Sequence, residues 1–322
     1  MSSSRRALLA AATAVAGGLA VGCGADSRRD AGATRVDLTG STGSTGISDT
    51  SGPAPATGEA EAAGAGGSGA GGSGAGGSGS PARPGPVTVR RTTFTSAARG
   101  RQVRMAVIAP AGTTAGTLPV CLVLHGRGDD ADRAVALLGL DGQLTAALAA
   151  GVAPFALVAL DGGESYWHRR ASGDDPEAMI IDEVLPRLAA QGLRTDRIAA
   201  TGWSMGGYGA LLLARRHPDL VVAVAASSPA MWHSYGASAP GAFDSAADFA
   251  AHPVLGTPPV PGVGYRIDCG ESDPFIKVSR EVAATLGARE RNFGPGGHTA
   301  SFWSAVTPAQ LAFVGAALNR AA

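Results

Sequence analysis

Net charge is the first thing this sequence lacks. Its 26 lysine and arginine residues are offset by 26 aspartate and glutamate residues over 322 positions, and the basic side chains are scattered rather than striped. Without a basic footprint there is no electrostatic case for a nucleic-acid partner. Cysteine is nearly missing, with three in all. Cys121 and Cys269 each lie in an apolar, strand-like run. In a layered parallel fold those strands are not neighbours, which rules out the close Cα approach that a disulfide needs. Both read as small buried hydrophobes. There is no Cys pair at zinc spacing and no His-Glu-x-x-His, so neither a metal centre nor a cofactor is expected.

Aromatic residues are missing from Gly24 to Pro86, and Gly64 to Ser80 repeats Gly-Ala-Gly-Gly-Ser. Such a stretch cannot bury enough apolar surface to offset its ordering entropy, and behaves as a flexible coil. Its glycines lack the Lys-Ser/Thr ending of a phosphate loop. Residues 23–86 are therefore expected to be a disordered linker and 87–322 the folded domain. Ahead of them, Ala7 to Val21 is apolar but too short and too rich in Ala and Gly for a membrane span. Ser4-Arg5-Arg6-Ala7-Leu8-Leu9 resembles a twin-arginine export signal, so 1–22 is read as a signal peptide. Ala20-Val21-Gly22-Cys23 resembles a lipobox, with Ala20 where leucine is usual. Cleavage before Cys23 leaves a thiol for lipid attachment; ordinary signal-peptidase cleavage leaves a free secreted protein. The expected location is the outer face of the cell membrane, anchored through Cys23, or the medium.

What is present beyond Val87 is an alternation. Val87–Phe94 and Arg101–Ile108 have strand character around a turn at Gly100. Continuous apolar runs follow at Leu118–Leu124, Phe155–Leu160, Ile198–Ala200 and Leu220–Ala226, with a further strand at Tyr265–Cys269. Continuous apolarity suits strands covered on both faces. Helical segments are expected at Asp132–Ala149, Glu177–Gln191 (around Pro186), after Ser204, at Lys277–Leu286 and at Pro308–Leu318, with a short strand near Arg289–Phe293 and an irregular insertion from Met231 to Gly264. This alternation predicts an α/β fold, a mostly parallel sheet with helices on both faces. Functional loops then lie at the carboxyl ends of the strands.

Gly202-Trp203-Ser204-Met205-Gly206 sits between an apolar strand and a helix carrying Leu211, Leu212 and Leu213. That context is what the Gly-x-Ser-x-Gly bend requires, and it makes Ser204 the candidate nucleophile. The Met205 N–H at the helix start faces a developing oxyanion. A second donor belongs in the loop after His125, with the Arg127 N–H preferred and that of Gly126 the alternative. A serine hydroxyl needs a base, and the base needs an acid to hold its tautomer. His298, late in the chain and preceded by glycines, is the preferred base among six histidines. His217 reads as a helix-end residue, His252 as exposed, and His168 and His233 as loop residues. Asp273 leads for the acid, with Glu271 its rival; Asp268 is disfavoured as mid-strand, and Asp244 or Asp248 would require a shifted acid loop. His125, Tyr166, Trp167 and Trp232 are candidates for lining a substrate pocket, although His125, at a strand end beside the oxyanion loop, is read first as ordering that loop; Trp303 is a candidate for steadying the His298 loop.

Leu124-His125-Gly126, Gly202 to Leu211, Gly270-Glu271-Ser272-Asp273 and Gly296-Gly297-His298 together resemble the esterase branch of the α/β-hydrolases. That branch holds esterase D (S-formylglutathione hydrolase), feruloyl-esterase-like enzymes and the secreted mycolyltransferases of actinobacteria. The resemblance covers Val103 to the end. It implies an α/β-hydrolase fold with a mostly parallel central sheet of about eight strands, Ser204, Asp273 and His298 as triad, and Arg127 and Met205 as oxyanion donors. A small-molecule or lipid ester is the implied substrate. High Ala, Gly and Arg content with the export signal looks like an actinobacterial lipoprotein. The expected activity is carboxylic ester hydrolysis through an acyl-enzyme. Acyl transfer to an alcohol and a non-catalytic surface protein retaining the fold are the alternatives.

Overall fold

In the computed structural model, the described residues are 85–112 and 118–321. The predicted signal peptide, Cys23 and nearly all of the predicted linker lie outside them. The first two strands, β1 (Val87–Ser96) and β2 (Arg101–Pro110), pair antiparallel through a turn in which Gly100 takes φ 62°. Then come β3 (Pro119–Leu124), the helices α1 (Ala131–Leu138) and α2 (Leu140–Ala149), and β4 (Ala156–Leu160). A composite helix follows: α3 (Pro176–Ala178), a π-helical stretch Met179–Val184, and α4 (Leu185–Ala190). Next are β5 (Arg194–Trp203), α5 (Met205–Arg216) and β6 (Val221–Ser227). The insertion after β6 carries a single 3₁₀ turn at Tyr235–Ala237 and α6 (Ala246–Ala251). The chain closes with β7 (Gly264–Asp268), α7 (Ile276–Thr285), β8 (Glu290–Asn292) and α8 (Ala300–Arg320).

These strands form one eight-stranded sheet in the order β1-β2-β4-β3-β5-β6-β7-β8. β2 runs antiparallel to both its neighbours, and every pairing from β4 through β8 is parallel. Alternate residues of the buried strands feed two separate cores. Leu122, Leu124 and Val158 join α5, the composite helix and α7 on one face. Cys121, Val123 and Leu157 join α1, α2 and α8 on the other. A sheet covered on both faces is why β3, β4 and β6 are buried at every position and apolar at all of them but Ser227. The alternation of elements predicts this mostly parallel sheet with helices on both faces, and the architecture is the α/β-hydrolase fold that the resemblance implies.

Three boundaries differ from expectation, each for a local reason. The single helix expected over Asp132–Ala149 is broken at Gly139, which adopts φ 61° and closes α1 with hydrogen bonds back to Val135 and Ala136. Around Pro186 the helix widens into a π-helical stretch, because proline has no N–H to continue the ladder. The last helix starts at Ala300, not Pro308. Pro308 leaves the Ser304 carbonyl without its helical partner, and Gln143 Nε2 donates to that oxygen instead at 3.4 Å. Thr299 caps this helix through its side chain, which accepts from the Phe302 N–H.

Candidate active site

The loops leaving the carboxyl ends of β3, β4, β5, β6 and β7 converge above the sheet, and the bend at Ser204 is their centre. Ser204 holds φ 53° and ψ −119° as the N-cap of α5, a conformation that costs a non-glycine residue about 1–3 kcal/mol. The neighbouring chain holds it there: the Ser204 N–H donates to Ser227 O at 2.9 Å, and Ala230 N–H donates to Ser204 O at 3.0 Å. The bend also needs space that only glycine leaves. A Cβ on Gly202 would lie 2.5 Å from Gly206, and one on Gly206 would lie 1.9 Å from the Leu124 carbonyl oxygen. Helix α5 therefore starts pressed against the end of β3, and its first N–H groups have no intrahelical acceptor.

His298 reaches Ser204 from the loop before α8, with Nε2 at 2.9 Å from Ser204 Oγ. Its Nδ1 lies 2.9 Å from Asp273 Oδ2. A carboxylate only accepts, so this contact places the proton on Nδ1 and leaves the Nε2 lone pair facing the serine hydroxyl. Two loops are tied together to achieve this. Ser272 N–H donates to Gly296 O and Glu271 N–H to Gly294 O, each at 2.9 Å. Gly270 and Gly296 approach so closely that a Cβ on Gly270 would sit 2.3 Å from the Gly296 carbonyl oxygen. The His298 ring is held edge-on by Trp303, with centroids 5.0 Å apart, and flanked by Phe275 at 5.3 Å.

The Asp273 carboxylate is fully buried. Burial pushes its pKa up, but hydrogen bonds from His298, the Phe275 N–H and the Ser228 hydroxyl outweigh that, and the group sits below the usual aspartate range. The sequence does not single out Ser228. It is completely buried, has φ 47°, accepts from Trp303 Nε1 at 3.1 Å, and donates its own N–H to Asp268 O at 2.7 Å. One strained serine at the end of β6 thus links the Asp273 loop, the Trp303 ring and the end of β7. The only sequence signal was Ser-Ser-Pro closing a buried strand.

The rival groups are occupied elsewhere. Glu271 is exposed, 4.0 Å from Arg280. Asp268 is buried within β7, ion-paired to Arg266 and accepting from Gln310 Nε2. Asp244 pairs with Arg170 at 2.7 Å. His217 caps the end of α5 and binds Glu177 at 2.8 Å. His252 is not exposed as expected: its side chain is largely buried and its ring stacks on His168.

Two pocket expectations are corrected. His125 is fully buried; its Nε2 accepts the Gly162 N–H at 2.9 Å, locking the loop after β3 to the loop after β4. Trp167 packs behind it and donates Nε1–H to His125 O at 3.2 Å. Both took an inward role because each found a backbone partner in the facing loop. Tyr166 is 3% exposed and stacks among Tyr208, Trp232 and Phe243. Trp232 lines a cavity of about 230 Å³ with Tyr208, Met231, Phe243 and Phe249, and neither Ser204 nor His298 is part of that lining. The Arg127 guanidinium is not free in solvent: it binds Glu164 at 3.1 Å and the Pro240 carbonyl at 3.0 Å, tying the loop after β3 to the insertion.

A family model described as "Putative esterase" matches residues 96–303. The chain belongs to this esterase family. Within it, a curated relative, "Putative esterase NocK" of Nocardia uniformis subsp. tsuyamanensis, is 36% identical over 117 residues, or 33% of this chain. The chain spans 31% of that relative's length. Among solved structures, a ferulic acid esterase aligns with TM-score 0.62 at 21% identity, covering 71% of this chain and 98% of that one. An S-formylglutathione hydrolase from Agrobacterium tumefaciens aligns with TM-score 0.59 at 15% identity, covering 72% and 96%. Both likenesses are of fold.

Proposed function

We propose that this protein is an exported serine hydrolase that cleaves carboxylic esters through an acyl-enzyme on Ser204. The supporting observation is the unbroken chain Ser204 Oγ–His298 Nε2 at 2.9 Å and His298 Nδ1–Asp273 Oδ2 at 2.9 Å. His298 Nε2 accepts the hydroxyl proton as Oγ attacks the ester carbonyl. The oxygen that becomes negative is met by the N–H groups of Met205 and Arg127. Collapse of the tetrahedral intermediate expels the alcohol, which takes the proton from His298. Water then attacks the acyl group by the same route and frees Ser204. Membership of the esterase family and the likeness of fold to a ferulic acid esterase support this chemistry.

Export rests on the sequence: Arg5-Arg6 before an apolar run, with Cys23 at its end. In this reading residues 1–22 direct export, a lipid on Cys23 anchors the chain, residues 23–86 are the tether, and 87–322 are the catalytic domain. The test of the catalytic claim uses p-nitrophenyl acetate and butyrate together with a fluorophosphonate probe. Turnover of the esters and one covalent label per chain, on Ser204, are the expected results. Folded protein that neither turns over nor labels would defeat it.

Asp273 adds a pH-dependent check. Its pKa is lowered in the folded state, so its stabilising contribution is complete above the unfolded aspartate value of about 3.9 and lost as pH falls through the lower folded value. Asp273→Asn is expected to lower kcat by about 10⁴ by losing the tautomer-fixing acceptor. Urea midpoints of wild type and variant should differ at pH 6 and converge as the pH drops below about 4. A gap unchanged across that range would contradict the lowered pKa.

A further inference from the structure

Away from Ser204, side chains from two segments distant in sequence meet at the insertion. His168 comes from the loop after β4. Asp248 and His252 stand at i and i+4 on one side of α6, where helical spacing brings them level. His168 is fully buried, and the His252 and Asp248 side chains are 11% and 16% exposed. The two imidazoles stack with centroids 4.2 Å apart. Asp248 Oδ1 lies 3.1 Å from His252 Nδ1 and 3.8 Å from His168 Nδ1. One donor atom from each residue falls within 4.8 Å of the other two.

Proton counting shows what this cluster is short of. A neutral imidazole has one N–H. Yet His168 Nδ1 faces the Arg169 carbonyl at 3.0 Å and Nε2 faces the Ala242 carbonyl at 3.2 Å. Only one of these can be a hydrogen bond. With the proton on Nε2, donated to Ala242 O, a buried lone pair on Nδ1 is left beside the Asp248 carboxylate. His252 Nδ1 is similarly crowded by oxygen, with the Asp248 carbonyl at 2.8 Å as well as the carboxylate. Carboxylate, carbonyl and ring-nitrogen atoms that can each donate a lone pair to a cation thus crowd one largely buried spot.

We propose that His168, Asp248 and His252 form a binding site for one zinc ion. Two imidazoles and a carboxylate are a donor set zinc takes. Ligands about 2.0–2.2 Å from a tetrahedral ion lie roughly 3.3–3.6 Å from one another, and the distances of 3.1 and 3.8 Å straddle that spacing. A ligating histidine ordinarily donates its second N–H to a carbonyl, as His168 Nε2 does to Ala242 O in this tautomer. The ion acts as a clasp, not as part of the ester chemistry. It joins the loop after β4 to α6, where the Tyr208 hydroxyl donates to His252 O at 2.8 Å and His252 lines the 230 Å³ cavity. Motif spacing missed it because its ligands come from two separate segments.

The test uses untagged full chain in a Cys23→Ser background, which removes a competing thiol, stripped with a chelator and titrated with Zn²⁺ by calorimetry. One equivalent is expected to bind and to raise Tm by several degrees. Co²⁺ should give visible absorption bands of a nitrogen- and oxygen-ligated ion. Asp248→Asn, a near-isosteric change, should weaken zinc at least tenfold, and His168→Gln/His252→Gln should abolish binding. Circular dichroism establishes that the variants are folded. Absence of saturable zinc binding in the unsubstituted site overturns the proposal without any variant. So does one-equivalent binding unchanged in Asp248→Asn, which would put the ion elsewhere, as at the exposed His233–Glu281 pair.

Discussion

Ser204→Ala is expected to lower kcat on p-nitrophenyl butyrate by about 10⁴–10⁶-fold and to abolish fluorophosphonate labelling. The size follows from the role proposed for the hydroxyl: without it no acyl-enzyme could form, and His298 with the proposed oxyanion donors would act only on water. The fold should survive. Ser204 is half-exposed, its backbone hydrogen bonds to Ser227 and Ala230 do not involve the side chain, and alanine bears φ 53° no worse than serine. A steady-state assay with a thermal melt on the same sample separates the two effects. Substantial turnover in the folded variant would mean that another group attacks the ester.

Gly206→Ala is expected to destabilise the protein by more than about 4 kcal/mol, or to prevent folding outright. The added Cβ would fall 1.9 Å from Leu124 O, 2.4 Å from Leu124 C and 2.6 Å from His125 O. All three are backbone atoms, so no rotamer change relieves the clash. Helix α5 would have to lift away from β3, carrying Ser204 off His298. Gly142→Ala is the control. Gly142 is exposed in α2, keeps a negative φ, and a Cβ there meets nothing within 4 Å. Higher helix propensity should make that variant neutral or more stable by up to about 1 kcal/mol. Urea unfolding of both variants decides the matter, and a Gly206→Ala protein of wild-type stability would refute the close approach.

Much of the architecture was legible because it is written in local pattern. Strands buried on both faces must be apolar throughout, so β3, β4 and β6 stand out as continuous runs, and the helices between them make the sheet parallel. The Ser204 bend needs glycines at 202 and 206, which leaves a motif of fixed spacing. His298 and Asp273 were found from chain order and from the rule that loops at strand carboxyl ends meet. Their contact distances, and the Gly270–Gly296 approach that produces them, were not in any local signal.

The sequence by itself determined the alternating elements, the bend at Ser204 and the order of serine, acid and histidine, because helix and strand periodicity and turn chemistry act between near neighbours. Tertiary structure alone decided the rest. It turned His125 and Trp167 inward onto backbone partners in facing loops, and made Ser228 a strut beneath Asp273. It started α8 eight residues early, by supplying Gln143 to the carbonyl that Pro308 orphans. It stacked His168 on His252. Each outcome depends on a hydrogen bond or ring contact between segments far apart along the chain, and no window of sequence contains both partners.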